Sequence, residues 1–331
     1  MEFIKKKKDM SFLDERKLAS KEFEIILTQK CNLACKHCMR GDGFGKEITP
    51  EVLDGIFSKF FYIENLSLGG GEVSLSPNSI RLLTEKLKEH KVIVKHINFT
   101  SNGLSASNEF LSALSELREY VVSCSEMPSL FLDEKDPLEP LIACFSFDDF
   151  HLQEMIDRGI EFDQIYSTVA KYQNLFSEKA IECRISCDVD IINSGRAENI
   201  SENIRKVKPF KPSDWVYQYY SSKSKPVTLF GGVICVSTDG EVIPPNTPFK
   251  DEKIVSFGNV ITDKPSQIFA NMTTKEVSAK GFNHADSKMY KKLSAPWLSW
   301  RKYLKSYGRK KLQIFKYYVN EKAEQNKQQK N

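Results

Sequence analysis

The sequence predicts an α/β fold assembled from parallel strand–helix–strand units, and three observations carry that expectation. Short apolar runs alternate with amphipathic segments of helical period. Nearly every apolar run ends in a glycine-rich or polar cluster, at the edge where such folds keep their chemistry. Apolar residues make up 40% of the 331-residue chain, an ordinary globular share, and no run approaches the roughly 20 needed to span a bilayer.

FEIILTQ at residues 23–29 reads as a buried strand, and CNLACKHC follows it directly. Thr49-Pro50-Glu51 then places an N-cap, a first-turn proline and an early acid before a helix. Val52, Leu53, Ile56, Phe57 and Phe60 share one face of that helix. IENLSL at 63–68 is a second strand, closed by Gly69-Gly70-Gly71-Glu72. Ser76-Pro77 opens a helix with Ile80, Leu83 and Leu87 along one side. KVIVKHINF at 91–99 is a third strand, ending in Thr100-Ser101-Asn102-Gly103.

A helix near residues 108–119 precedes an irregular stretch at 123–140, punctuated by Pro128, Pro137 and Pro140 and read as an insertion. LIACFSFDDFH at 141–151 resumes as a strand with a polar end, and a helix follows at about 163–174. AIECRISCDVDIIN at 180–193 alternates, with Cys183, Ile185, Cys187, Val189 and Ile191 on one face. Arg184, Ser186, Asp188 and Asp190 share the other. In a helix-wrapped sheet that polar face lines an interior cavity; the alternative is an edge strand with a wet face. A last strand is expected near 215–220, and PVTLFGGVICVSTDGEVIPP beyond it reads as a β-hairpin turned at Thr238-Asp239-Gly240. There is no internal repeat.

Four regions follow: a basic segment at 1–21, the strand–helix body at 22–222, a hairpin-and-helix extension at 223–286, and a basic aromatic tail at 287–331. The tail holds eleven Lys and two Arg against Glu321 and Glu324, a formal +11, so the rest carries −7 against the net of +4. Its lysines are interleaved with Trp297, Trp300, Tyr303, Tyr307, Phe315, Tyr317 and Tyr318. That pattern suits RNA or an acidic peptide, or equally a docking helix that buries its aromatics. The last residues, EKAEQNKQQKN, read as disordered. The N-terminus MEFIKKKKDMSF has basic residues with no apolar segment after them, so no secretory signal and a cytoplasmic location are expected.

A chain of this length in that compartment needs no disulfide framework, so clustered cysteines point to metal or redox chemistry. Of eight cysteines, Cys31, Cys35 and Cys38 crowd one short loop. Cys124, Cys144, Cys183, Cys187 and Cys235 are scattered and read as small buried hydrophobes. Three thiolates spaced C-x-x-x-C-x-x-C can hold three irons of a cubane cluster and leave the fourth open. The competing readings are structural zinc, which normally takes four protein ligands and here lacks a second C-x-x-C pair, or incidental cysteines.

From about residue 22 to 196 the chain resembles the radical SAM superfamily, with weaker likeness to about 268. The resemblance makes Cys31, Cys35 and Cys38 the ligands of a [4Fe-4S] cluster and sets His37 near the adenine of S-adenosylmethionine (SAM), where the other reading is a surface histidine. Gly70-Gly71-Glu72 matches the turn that binds the methionyl amino group, with Val73 in place of the usual proline. Ser101-Asn102-Gly103 matches a turn after the third strand, and Ser146 and Asp148 match a fourth-strand pair near the ribose hydroxyls. Arg184 and Ser186 match fifth-strand contacts to the SAM carboxylate, although Arg184 also suits an ion pair with Asp148 or Asp188. Asn193-Ser194-Gly195-Arg196-Ala197 resembles a turn of members with C-terminal extensions.

CVSTDGEVIPP, VSFGNV at 255–260 and a helix near 265–269 resemble the hairpin and helix of SPASM or twitch extensions. Pro244 and Pro245 stand where a further cysteine is expected, so Cys235 reads as a packed residue. The family implies a partial six-stranded parallel (β/α) barrel with a small C-terminal β-hairpin plus helix extension. It implies reductive cleavage of SAM to a 5′-deoxyadenosyl radical that abstracts a substrate hydrogen. The electron comes from a donor such as flavodoxin or ferredoxin. A peptide or protein side chain is the expected substrate; RNA modification and a catalytically silent cluster-binding module are the alternatives.

Overall fold

The computed structural model describes residues 2–3, 11–127, 129–130, 139–146, 149–161, 163–175, 181–184, 191–192, 195–199, 204–206, 219–222, 225–245, 247–249, 255–274 and 282–285. In chain order these form β1 (Glu2–Phe3), β2 (Lys17–Thr28), α1 (Pro50–Phe57), β3 (Phe60–Gly70), α2 (Pro77–Glu89) and β4 (Ile93–Ser101). Then come α3 (Asn108–Ser123), β5 (Leu141–Ser146), α4 (Asp149–Asp157), α5 (Asp163–Leu175) and β6 (Ile181–Arg184). The order closes with β7 (Ile191–Ile192), β8 (Ile204–Lys206), β9 (Tyr219–Ser222), β10 (Lys225–Val236), β11 (Glu241–Ile243), β12 (Gly258–Asn259), α6 (Pro265–Thr274) and β13 (Phe282–Ala285). The tail at 287–331 lies outside the described residues.

Six strands run parallel in the order β10-β2-β3-β4-β5-β6. This is the expected six-stranded sheet of a partial barrel, and among the described residues its two ends do not pair, so it is open. Strands β9 and β1 add antiparallel neighbours beyond β10. Strands β7, β13 and β8 make a separate three-stranded antiparallel sheet.

One strand assignment changes. The expected last barrel strand near 215–220 is represented by β9, which pairs antiparallel with β10 across a two-residue link. So short a link permits a hairpin and not a parallel crossover, which needs a dozen residues or more. The sixth parallel strand is instead β10, the first arm of the expected hairpin, whose turn at 237–240 leads into β11 through Cys235↔Ile243 and Val236↔Val242. At the other end, β2 starts at Lys17, six residues before the apolar run that announced it, because Leu18 and Ala19 are buried.

The sheet's two faces follow the period of two along each strand. Phe23, Ile25 and Leu27 of β2, Leu66 and Leu68 of β3, and Ile97 and Phe99 of β4 are buried in the core. The same core takes Val52 and Ile56 of α1, Ile80, Leu83 and Leu87 of α2, and Phe110, Leu114 and Leu117 of α3. The alternate residues form polar rows in register, Glu22↔Asn65↔His96 and Glu24↔Ser67↔Asn98. Asn65 donates to Glu22 at 2.7 Å and Ser67 to Asn98 at 3.0 Å. The side chains of 181–184, where the same alternation was read, fall outside the described set.

The insertion after α3 is pinned by two buried charges. Glu64 stands opposite Lys95 in the β3–β4 register. Lys95 Nζ donates to the carbonyls of Ser125 at 2.9 Å and Met127 at 2.6 Å, while Glu64 accepts from Ser129 Oγ at 3.0 Å and from the Tyr62 hydroxyl. Lys95→Met would remove two charged hydrogen bonds and leave Glu64 buried beside it. A loss of about 2–3 kcal/mol is expected in urea unfolding, and an unshifted midpoint would show that the insertion is held by other means.

Candidate active site

Because the strands are parallel, Thr28, Gly70, Ser101, Ser146 and Arg184 end β2 to β6 on one edge. A chamber of about 1000 Å³ opens there. Cys31, Cys35, Cys38 and His37 line it, and so do Gly70, Gly71, Glu72, Asn102 and Ser146. Arg184 sits beside Ser146 in the β5–β6 register, its side chain outside the described set. Asp148 and Ser186 fall outside the described residues.

The cysteine loop is compact. Cys38 N–H donates to Cys35 O at 3.1 Å and Gly41 N–H to Cys38 O at 3.2 Å. Cys31 opens to the chamber, Cys38 is half-buried and Cys35 is 5% exposed. Protein packed around the other sides of Cys31 strips its hydration. Against the lowering effect of the Leu33 backbone, that and the nearby Glu72, Cys38 and Cys35 push its thiol up to about 11. Helix α4 and the residue that follows it hold the loop's first half: Glu154 Oε1 accepts from Ala34 N at 3.1 Å, and Arg158 Nη1 donates to Asn32 O at 3.0 Å.

The Gly-Gly-Glu turn is built for contact. A Cβ on Gly71 would lie 2.2 Å from Lys30 O and 3.0 Å from Cys31 Cβ, so only glycine lets this turn rest on the cysteine loop. Gly71 N–H donates to Thr28 O at 2.9 Å and Glu72 N–H to Lys30 O at 2.7 Å. The Glu72 carboxylate, in a residue 1% exposed, accepts from Asn102 N at 2.7 Å, Ser101 Oγ at 2.9 Å and Ser74 N at 3.1 Å. It is thus committed to joining the ends of β3 and β4. Asn102 extends the linkage, its Nδ2 donating to Asn32 Oδ1 at 2.7 Å and its Oδ1 accepting from Leu104 N at 3.1 Å.

Several partners were not singled out in the sequence. His37 stacks on Phe150 at 4.7 Å and 19° and meets His151 edge-on at 4.9 Å, so α4 supplies an aromatic wall. Both residues close the polar end of the fourth expected strand, 141–151, which was the available signal. Arg40, 4% exposed, donates to Glu24 and, at 2.7 Å, to Thr247 O, while its own carbonyl accepts from Phe249 N at 2.7 Å. Burial opposes its charge, but Glu24 and the Cys235 thiol more than offset this and raise its pKa. Cys235 is wholly buried against Ile26, Ile243 and Phe249. Burial first, and Glu24 second, hold its thiol well above the usual range. Cys124 and Cys144 are also buried, as the scattered cysteines were expected to be.

An open parallel sheet with three cysteines on the loop after its first long strand and a glycine turn after the next defines a cofactor-binding α/β enzyme. Residues 25–183, from β2 into β6, match the family model of the Radical SAM superfamily. That stretch, just under half of the chain, is a Radical SAM domain, and the enzymes of that superfamily work with a [4Fe-4S] cluster and SAM. Among curated proteins, none matches it. Among solved structures it is similar to native anSMEcpe with bound AdoMet and Cp18Cys peptide, at 13% identity and a TM-score of 0.46, covering 85% of this chain and 98% of that one. It is also similar to Streptococcus suis SuiB bound to precursor peptide SuiA, at 10% identity and a TM-score of 0.35, covering 76% and 65%. SuiB bound to S-adenosylmethionine gives 11% and 0.35, with coverage of 83% and 68%.

Two outcomes check this site. Glu72→Gln would turn an acceptor oxygen into a donor facing donors, and a loss of about 2–3 kcal/mol in stability is expected by urea unfolding; full stability would mean the carboxylate does not join the two turns. Glu22 faces the chamber, and burial, outweighing its Asn65 bond and nearby Lys21, raises its carboxyl above the ordinary 4.5. The folded state therefore binds the Glu22 proton more tightly than the unfolded one, so stability falls as pH climbs from 4.5 through the raised value. Glu22→Gln is expected to melt higher than the parent protein at pH 7 and level with it below pH 4.5. A gain that persists in acid would contradict the assignment.

Proposed function

We propose that this radical SAM enzyme acts on a peptide or protein side chain held in the chamber beside the cysteine loop. The single observation that carries the reading is the placement of Cys31, Cys35 and Cys38 on the wall of a chamber of about 1000 Å³. That volume is at the top of the range for small-molecule pockets, leaving room for a second reactant beside SAM. The resemblance of the hairpin-and-helix extension at 223–286 to SPASM or twitch extensions favours a peptide.

The donor set fits the cluster. Three thiols on one short loop can take three irons, and none of the other cysteines among the described residues lines the chamber to fill the fourth. Cys31, Cys35 and Cys38 would hold it. Gly70, Gly71, Glu72 and Asn102 would shape the methionyl side of SAM, with Ser146, Asp148, Arg184 and Ser186 toward its ribose and carboxylate. His37 would face the adenine, braced by Phe150. Bound together, the cofactors supply one-electron cleavage of a sulfonium bond, and the chain's work is to orient SAM and keep competing reactions out. A reduced flavodoxin or ferredoxin is the fitting electron source.

Anaerobic reconstitution with iron and sulfide, followed by dithionite and SAM, tests this. The expected products are 5′-deoxyadenosine and methionine, with release falling more than about 100-fold in Cys31→Ser, Cys35→Ser or Cys38→Ser, beyond the cost of altering groups around the ligands. A cluster that forms without any SAM cleavage would count against the reading.

A further inference from the structure

We propose that Arg196 is a positioning residue for the cysteine loop and that its charge helps set the potential of the cluster that loop holds. Gly195 and Arg196 stand in a single turn at 195–199, more than 150 residues after the loop they touch. Arg196 N–H donates to Cys38 O at 3.0 Å, its Nε to Cys35 O at 3.0 Å and its Nη1 to Gly41 O at 3.0 Å. One residue therefore takes the carbonyls of two of the three cysteines and of the glycine that turns the loop. The close approach depends on Gly195, with φ +60, where a Cβ would stand 2.6 Å from Gly41 N and Met39 O.

The rigid fork of a guanidinium is what lets one side chain span two carbonyls; a lysine would supply charge without the span. Asp42 is the guanidinium's anionic partner, and it is 82% exposed, so water screens it far more than the buried carbonyl side of Arg196. The remaining positive field lies on the backbone of the loop that carries the cysteines, where a cluster would become more negative on reduction, and net local charge is one determinant of such potentials. Removal of the cation lowers the potential, and removal of Asp42 raises it.

The cluster assignment above is needed only for the electrochemical arm of the test. In the metal-free full chain, alkylation of Cys35 by iodoacetamide, read by peptide mass spectrometry, is expected to accelerate roughly tenfold in Arg196→Gln and in Arg196→Lys. After reconstitution, the midpoint potential is expected to fall in Arg196→Gln, to stay near the parent value in Arg196→Lys and to rise in Asp42→Asn. Opposite shifts in the two charge-removing variants are something a merely structural role does not produce. If Arg196→Gln fails to fold, Gly195→Ala, which pushes the turn off the loop, carries the alkylation arm. An unchanged alkylation rate would overturn the clamp, and equal potentials in Arg196→Gln and Asp42→Asn would overturn the charge effect. A parent protein that takes up no cluster would defeat the assignment of the previous subsection, while alkylation still decides the clamp.

Discussion

The site depends on one buried carboxylate. Glu72 is removed from water and must find its hydrogen bonds in protein, because an unsolvated, unpartnered charge is costly. Its three donors come from its own turn and from the turn after β4, so neither turn can shift without stranding the charge. Asn102 hands the constraint to Asn32, and Arg158 hands it to α4, so the loop of Cys31, Cys35 and Cys38 inherits a geometry set outside it.

A second constraint joins the front of the chain to its end. Arg40 and Glu24 form a buried ion pair, and Arg40 also grips the backbone at Thr247 and Phe249. Buried pairs of this kind contribute little net stability but tolerate few arrangements. The cysteine loop is therefore framed by β2 beneath it, α4 on one flank, the Gly195 turn on another and the segment after β11. An auxiliary metal at Cys235 would have to displace this ion pair.

Local features were legible in the sequence and distant ones were not. C-x-x-x-C-x-x-C, Gly70-Gly71-Glu72 and Ser101-Asn102-Gly103 each sit at a strand end, and a period of two or 3.6 locates those ends. The polar inner face of β2 was harder to see, because the run at 23–29 is mostly apolar and masks the alternation of Glu22 and Glu24 with Phe23 and Ile25. The place of β10 was hidden because its three valines and Ile234 suit a hairpin arm and a barrel strand equally well. The grip of Arg196 was hidden for a different reason: its partners are backbone carbonyls, which every residue has. Glu72 was legible as part of a turn at a strand end, but its commitment to Ser101 and Asn102 appears only once β3 and β4 lie side by side.

The pairing of β2 with β10 also sets an order of events during synthesis. Register partners such as Lys17 and Val227 are about 210 residues apart, so β2 leaves the ribosome long before its neighbour does. Until then its hydrogen-bonding edge is open, and an open edge invites pairing with other chains. Arg40, meanwhile, lacks its carbonyl partner at Thr247. On the ribosome the cysteine loop thus precedes much of its frame, and iron that arrives early meets thiols on a surface still unfinished.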